Sequence, residues 1–424
     1  MIKINTAENF IRDFRSKGTE KTNPEIIETV AKILEDIKIR GDKAVKEYEK
    51  KFDGVDLEEL EVSEAEKSSA LKIVGKDFIK ILERAAKNIY DFHSKQLRNG
   101  FMFSNSDGVI LGQRVIPLEK VGLYVPGGTA SYPSTVLMNA IPAKIAGCEN
   151  IIVTTPPEIK PEIIAASHVA GVDRIYKIGG AQAVAALAFG TESVMKVDKI
   201  VGPGNIFVAE AKRQVFGHVA IDMIAGPSEI LIIADEKNSP SNIAADLLAQ
   251  AEHDRLASSI LITDSKILAE RVRDEIENQI TKLERHDIAR ASIDNNGAVI
   301  LVETLKEAEN IANEIAPEHL ELCVENPFES LTRIKNAGSV FLGKYSPEAL
   351  GDYYAGANHT LPTMGTARFS SPLSVDDFVK KSQYIYYNED ALKKVSDDIE
   401  AFAKSEGLTG HANSITIRKC LQEK

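Results

Sequence analysis

Short apolar runs alternate with longer segments of helical spacing along most of this chain. Runs at Val121–Val125, Ile151–Thr154, Arg174–Ile178, Lys199–Val201, Ile230–Ala234, Ile260–Thr263, Ala298–Val302, Leu320–Val324 and Ser339–Leu342 have the make-up of buried strands. Helical patterns lie between many of them, among them Ser134–Ala146, Pro161–Ala170, Ala181–Phe189 and Ser241–Ala251. Buried strands alternating with helices predict right-handed β-α-β units and largely parallel sheets. Two such blocks, about 121–229 and 230–373, fit two α/β domains. Ahead of them, Pro24–Lys51 and Ala65–Leu97 read as helix, and short strands are expected around Asp107–Val115. After them, Asp376–Lys404 reads as an acidic helical tail and Ser414–Ile417 as strand-like.

Composition narrows the class without choosing a function. The 424 residues are 43% apolar and 27% charged, enough chain for more than one hydrophobic core. The formal charge of −12 is spread along the chain, which excludes the basic face that a nucleic acid or an anionic membrane requires. No apolar run reaches the roughly eighteen residues of a membrane span, and the N-terminus lacks a signal peptide's apolar core. Cys148, Cys323 and Cys420 are far apart with no CxxC, which fits a reducing compartment. The expected location is cytoplasmic.

Four segments carry candidate chemistry. Gln250 and His253 are three apart at the end of the helix Ser241–Ala251, which Ser241 is placed to cap, so both can face one ion while Glu252 points elsewhere. Glu318-His319 precedes a strand, and an adjacent carboxylate and imidazole can divide acid–base work. The stretch from Gly351 to Thr363 has no clean period and holds Asp352 and His359. Ser405–Asn413 holds Glu406 and His411. Taken singly, these are equally well read as a polar helix end, a solvated loop or a turn. Three turns, Val125-Pro126-Gly127-Gly128, Ile178-Gly179-Gly180 and Val201-Gly202-Pro203-Gly204, close predicted strands where open α/β sheets bind ligands. No GxGxxG, HExxH, GxSxG or P-loop occurs, so residue-level reading ends at a two-domain α/β protein with a His, Asp and Gln metal cleft.

In order along the chain, Val121-Gly122-Leu123-Tyr124-Val125-Pro126-Gly127-Gly128-Thr129-Ala130, Tyr132–Met138, Gly179–Ala183, Gly202–Asn205, Ala225–Glu229 and the four segments above resemble the histidinol dehydrogenase family over nearly the whole length. The resemblance implies a zinc-dependent, NAD-linked oxidation of L-histidinol through the aldehyde to L-histidine. It implies zinc ligands Gln250, His253, Asp352 and His411, one ion per subunit, a nitrogen/oxygen set that manganese also accepts. His319 is the implied acid–base group and Glu318 the residue that activates water. Ser228, His359 and Glu406, with the metal ligands and His319, are the implied substrate contacts. Tyr124, Gln182 and Asn205 are the implied cofactor positions. No cysteine stands in the four segments and Cys323 lies in a predicted strand, so water is expected to add to the aldehyde directly.

The implied architecture is two Rossmann-like, mostly parallel α/β domains with helical N- and C-terminal extensions in an intertwined homodimer. The expected division is 1–22 as the N-terminal extension, 23–120 with 230–373 as the metal and catalytic domain, and 121–229 as the NAD domain. Residues 374–424 are expected to reach the partner subunit, so that Glu406 and His411 act in trans. A metal hydrolase, a non-enzymatic metal-binding protein, or a relative oxidising another amino alcohol are the competing readings. The first two leave NAD unreduced with any amino alcohol.

Overall fold

The computed structural model describes residues 1–17, 23–127 and 131–420. Gly128 of the first glycine turn with Thr129 and Ala130 after it, residues 18–22 of the expected N-terminal extension and residues 421–424 lie outside the described residues. The chain opens with strand β1 (Lys3–Thr6) and helix α1 (Ala7–Lys17), then α2 (Pro24–Arg40), α3 (Asp42–Phe52) and α4 (Glu64–His93). Gly41, at φ +55°, divides the single helix expected over Pro24–Lys51 into two. An antiparallel pair, β2 (Phe101–Ser104) and β3 (Val109–Pro117), comes next.

The first alternating block is β4 (Lys120–Tyr124), α5 (Pro133–Ala146), β5 (Asn150–Thr155), α6 (Pro161–Ala170), β6 (Arg174–Lys177), α7 (Gly180–Phe189), β7 (Lys199–Val201), α8 (Ile206–Val215) and β8 (Ala220–Ile221). The second is β9 (Glu229–Ala234), α9 (Pro240–Ala251), β10 (Ser258–Thr263), α10 (Lys266–Ile280), α11 (His286–Asn296), β11 (Ala298–Leu301), α12 (Leu305–Ile315), β12 (His319–Cys323), α13 (Pro327–Leu331), β13 (Ser339–Leu342) and α14 (Glu348–Tyr353). Strand β14 (Val379–Tyr387) and helices α15 (Glu389–Ser405) and α16 (Thr409–Cys420) follow. Helix α9 begins one residue before the predicted Ser241: Pro240, with φ already set for a helix, occupies its first position and Ser239 is the N-cap.

Both parallel sheets have the same order. One runs β6-β5-β4-β7-β8 and the other β1-β11-β10-β9-β12-β13. Numbered from its own first α/β strand, each reads 3-2-1-4-5, and β1 adds an edge to the larger sheet, so the N-terminal segment is not purely helical. The order reverses between β4 and β7 in one sheet and between β9 and β12 in the other. In the larger sheet Ile230, Ile232, Leu261 and Val299 pack under α9, α10 and α11, while Leu231, Ile233, Ile262 and Ile300 pack on the opposite face with α12. This is the period-two alternation of a sheet buried on both sides.

Packing changes one expected division. Val30, Ile33, Leu34, Ile37, Ala44 and Val45 of α2 and α3 share a core with α7 and α8, and α4 lies on α5 and α6. Residues 24–93 therefore pack on the helices of the smaller sheet, because their apolar faces match those helices. The chain forms two compact units, 1–96 with 118–378 and 97–117 with 379–424. In the second unit β14 pairs antiparallel with β3 from Val379↔Pro117 to Tyr387↔Val109. The expected continuous helix over Asp376–Lys404 thus gives way to a strand rich in Tyr and Ile where β3 offers an edge. Ser414–Ile417 shows the reverse: it lies within α16, whose backbone groups pair internally. Among the described residues, no helix is long and apolar enough to cross a membrane.

Candidate active site

Topology assembles a cluster at the amino ends of β9 and β12. These strands are parallel neighbours with His319 opposite Ile230, so Glu229, Glu318 and His319 stand side by side. Helix α9 runs back from the far end of β9 and delivers Gln250 in its last turn. His253 follows just beyond, its N–H bonded to the Gln250 carbonyl at 3.2 Å. Helix α14 presents Glu348 and Asp352 four residues apart, on one face. Its start is held by Glu321, which accepts from the Glu348 N–H at 2.8 Å. Ala316, at φ +53°, turns the chain from α12 into Pro317-Glu318; a positive φ at a buried non-glycine residue marks local strain.

Within the cluster, Glu318 Oε2 accepts from the Glu229 N–H at 2.8 Å. In the amide orientation that satisfies both its ends, Gln250 accepts from the same N–H at 2.9 Å and donates to the Glu348 carboxylate. His319 Nδ1 donates to the Glu229 carbonyl at 3.0 Å and lies 3.6 Å from both Glu318 Oε2 and Glu348 Oε1. Its Nε2 is buried without a hydrogen-bond partner, 3.8 Å from Asp352 Oδ1. His359 Nδ1 donates to the Asp352 carbonyl at 3.0 Å, and its Nε2 lies 3.4 Å from Thr135 Oγ1 at the start of α5. That last contact carries the cluster across to the smaller sheet.

Charge in the cluster is unbalanced. The ion-pair partners of Glu318, Glu348 and Asp352 are imidazoles; among the described residues no Lys or Arg forms an ion pair with them. Burial pushes the Glu318 and Glu348 carboxyls well above the usual range, Asp352 adding to both, and raises Glu229 to about 7. Burial also lowers His319 to about 4 and lowers His359, with His253 acting in the same direction on both. One ligand atom each of His319, Glu348 and Asp352 lies within 4.8 Å of the others. Nitrogen and oxygen donors around uncompensated buried carboxylates suit a divalent cation.

The structure thus brings Gln250, His253, Glu318, His319, Asp352 and His359 to one strand end. Ser228, half-buried, immediately precedes Glu229, and its carbonyl accepts from the Ser258 N–H at 3.0 Å. Glu406 and His411 belong to the second unit, at the end of α15 and in the first turn of α16, and both are exposed. Glu229 and Glu348 are functional candidates that motif reading missed. The Glu348-to-Asp352 spacing of four was the available signal, but it straddles the start of the stretch Gly351–Thr363 that was read as having no clean period. Cys323 is buried at the other end of β12, four residues and about 13 Å from His319 at ~3.3 Å per residue. Its thiol is pushed upward by burial and then by Glu321, the opposite of an activated nucleophile.

The implied cofactor positions line the carboxyl edge of the smaller sheet. Tyr124, buried, ends β4, and its hydroxyl accepts from the Gly180 N–H at 3.1 Å. Gln182, buried in the first turn of α7, donates its amide to Glu49 at 2.8 Å. Asn205, exposed, follows β7 and caps α8 by accepting from the N–H groups of Phe207 and Val208. The reversal between β4 and β7 is where open α/β sheets take ligands, and α5 opens there with no side-chain cap on its N-terminal amides. This edge fits an extended anionic cofactor.

Two parallel sheets with a reversal crevice, joined through His359 to a buried imidazole–carboxylate cluster, define an α/β protein with acid–base groups beside a ligand edge. Residues 16–419 match the family described as histidinol dehydrogenase. The chain is 58% identical over 402 residues to "Histidinol dehydrogenase" of Clostridium acetobutylicum, covering 94% of this chain and 93% of that one. It is 58% identical over 401 residues to the protein of the same name from Caldanaerobacter subterraneus, covering 93% of each. The solved histidinol dehydrogenase of Elizabethkingia anophelis superposes with a TM-score of 0.90 at 40% identity, over 96% of this chain and 94% of that one. The chain belongs to the histidinol dehydrogenase family.

Proposed function

We propose that this chain oxidises L-histidinol through L-histidinaldehyde to L-histidine in two NAD-linked steps at a zinc-dependent site. One observation carries the reading: His319 is buried with Nδ1–H fixed on the Glu229 carbonyl, leaving a basic Nε2 without a partner beside Asp352. A ring protonated at Nδ1 keeps its lone pair on Nε2, and with its pKa lowered to about 4 it is neutral and proton-accepting near pH 7. His319 Nε2 takes the hydroxyl proton as hydride leaves the carbinol carbon. As water adds to the aldehyde, Glu318 takes a proton from the water and His319 returns its proton to the aldehyde oxygen, so that neutral His319 takes the hydrate's hydroxyl proton in the second oxidation. NAD, held along Tyr124, Gln182 and Asn205 on residues 121–229, supplies the hydride acceptor both times.

Gln250, His253, Asp352 and His411 are the proposed zinc ligands, manganese being the alternative. When bound, the ion supplies a positive charge that orients the substrate's imidazole and amine and favours ionised Glu318. Ser228, His359 and Glu406 complete the substrate contacts. The exposed Phe101, Phe103, Ile385 and Phe402 of the second unit support a homodimer in which Glu406 and His411 serve the partner's site. Mixing Glu318→Gln chains with His411→Asn chains is expected to restore activity that neither has alone; no recovery removes the shared site.

The deciding test is NADH formed per L-histidinol consumed, before chelation, after it and after zinc is restored. Two NADH, lost with the metal and regained with zinc, is the expected result. One NADH removes the second oxidation, and none removes the dehydrogenase reading.

A further inference from the structure

The carboxyl edge of the smaller sheet contains a buried ion pair that no motif marks. Lys212 on α8 and Asp222, just past β8, pair with each other, and both side chains are 1% exposed. Both also bind one residue, Gly202: Lys212 Nζ donates to its carbonyl at 3.0 Å, and Asp222 Oδ2 accepts from its N–H at 2.8 Å. Gly202 is the first residue after β7, at the point where strand order reverses. Its φ is +113°, and a Cβ there would stand 2.2 Å from the Tyr124 carbonyl oxygen, so no side chain of its own can hold this position. The turn runs on to Asn205, which caps α8, and α8 carries Lys212 back to Gly202. The pair closes a ring through strand, turn and helix.

Stability alone does not call for this arrangement. Removing two charges from water is expensive, and an apolar pair of equal volume is often neutral or stabilising in such a place. What an apolar pair cannot do is hold the N–H and the carbonyl of one residue, in two successive peptide units, in register. We propose that Lys212 and Asp222 are positioning residues for the nicotinamide dinucleotide: they fix the Gly202–Asn205 turn against the end of β4, so that Asn205 and Tyr124 meet the cofactor in a preset geometry. The inference rests on the reading of this edge as the NAD site.

The test measures NAD binding directly, by calorimetry on the zinc-loaded enzyme, alongside kinetics. Wild type is titrated first. Lys212→Met/Asp222→Leu keeps volume and removes the clamp; its NAD dissociation constant is expected to rise about tenfold or more, ~1.4 kcal/mol. Its kcat at saturating NAD, zinc content and KM for L-histidinol are expected to stay near wild type. Lys212→Gln/Asp222→Asn keeps a donor and an acceptor for Gly202 and is expected to bind NAD within about threefold of wild type. If the apolar pair does not fold, Asp222→Ala alone carries the test by removing the acceptor for the Gly202 N–H, with weakened NAD binding and an unchanged L-histidinol KM expected. Wild-type NAD affinity in a clamp-less variant overturns the clamp and leaves the cofactor site standing. No NAD binding by wild type overturns both.

Discussion

The two parallel sheets share a strand order and differ in which end they use and in how they treat buried charge. The smaller sheet offers its carboxyl ends, where Tyr124, the Gly180 turn and the Gly202 turn gather. Its buried Lys212 and Asp222 neutralise each other. The larger sheet offers its amino ends, where Glu229, Glu318 and His319 meet Gln250 and Asp352, and there, among the described residues, no Lys or Arg pairs with the carboxylates. A balanced buried pair holds a backbone in place. An unbalanced one stores an electrostatic demand that a ligand can satisfy. The same fold thus serves as a rigid frame at one edge and as a reactive cluster at another.

The largest effect expected from this contrast is at His319. His319→Asn should lower kcat by about 10²–10⁴-fold, the usual size of a general acid–base contribution, with NAD affinity unchanged. Steady-state rates together with NAD titration check it, and a loss confined to NAD binding would erase the division of labour between the sheets. A smaller effect sharpens the comparison through pH. Burial raises the Glu49 carboxyl from its ordinary 4.5 to about 8, against the pull of Gln182 and Gly179, so it is protonated in the fold at neutral pH. The folded state then binds the extra proton, and stability falls as pH rises from about 4.5 to about 8. His319 has the opposite sign: lowered from 6.5 to about 4, it makes stability fall as pH drops through that range. Glu49→Gln keeps an acceptor for Gly179 and Gln182 and should raise the melting midpoint at pH 8.5 by a few degrees, with little change at pH 5. An equal shift at both values would mean that Glu49 is ionised in the fold.

Much of the two parallel sheets is legible from the chain. Lys199–Val201, Ser339–Leu342 and Pro161–Ala170 match their elements end to end, because short apolar runs bounded by glycine or proline leave few alternatives. The site was legible only as pieces. Glu318-His319 and Asp352 were visible as chemistry without an address, while Glu229 stood in the Ala225–Glu229 motif with no role and Glu348 was not singled out, since their role depends on what lies across the sheet. Strand β14 and helix α16 were exchanged for the same reason: a tyrosine-rich run becomes a strand when an edge is within reach, and Ser414–Ile417 becomes helix when its backbone pairs locally.

By itself, then, the sequence determined the alternation of strand and helix, the parallel sheets, the order of the motifs and through them the family. These follow from local spacing of apolar residues and from glycine's backbone freedom, which need no distant partner. Tertiary structure alone decided that α2, α3 and α4 pack on the helices of the smaller sheet, that the candidate catalytic cluster forms at amino ends while the glycine turns form at carboxyl ends, and that Lys212 meets Asp222 around Gly202. Each of these depends on contacts between residues far apart in the chain, and burial then sets their charge: a carboxylate or imidazole acquires its protonation state from the water it loses and the neighbours it gains.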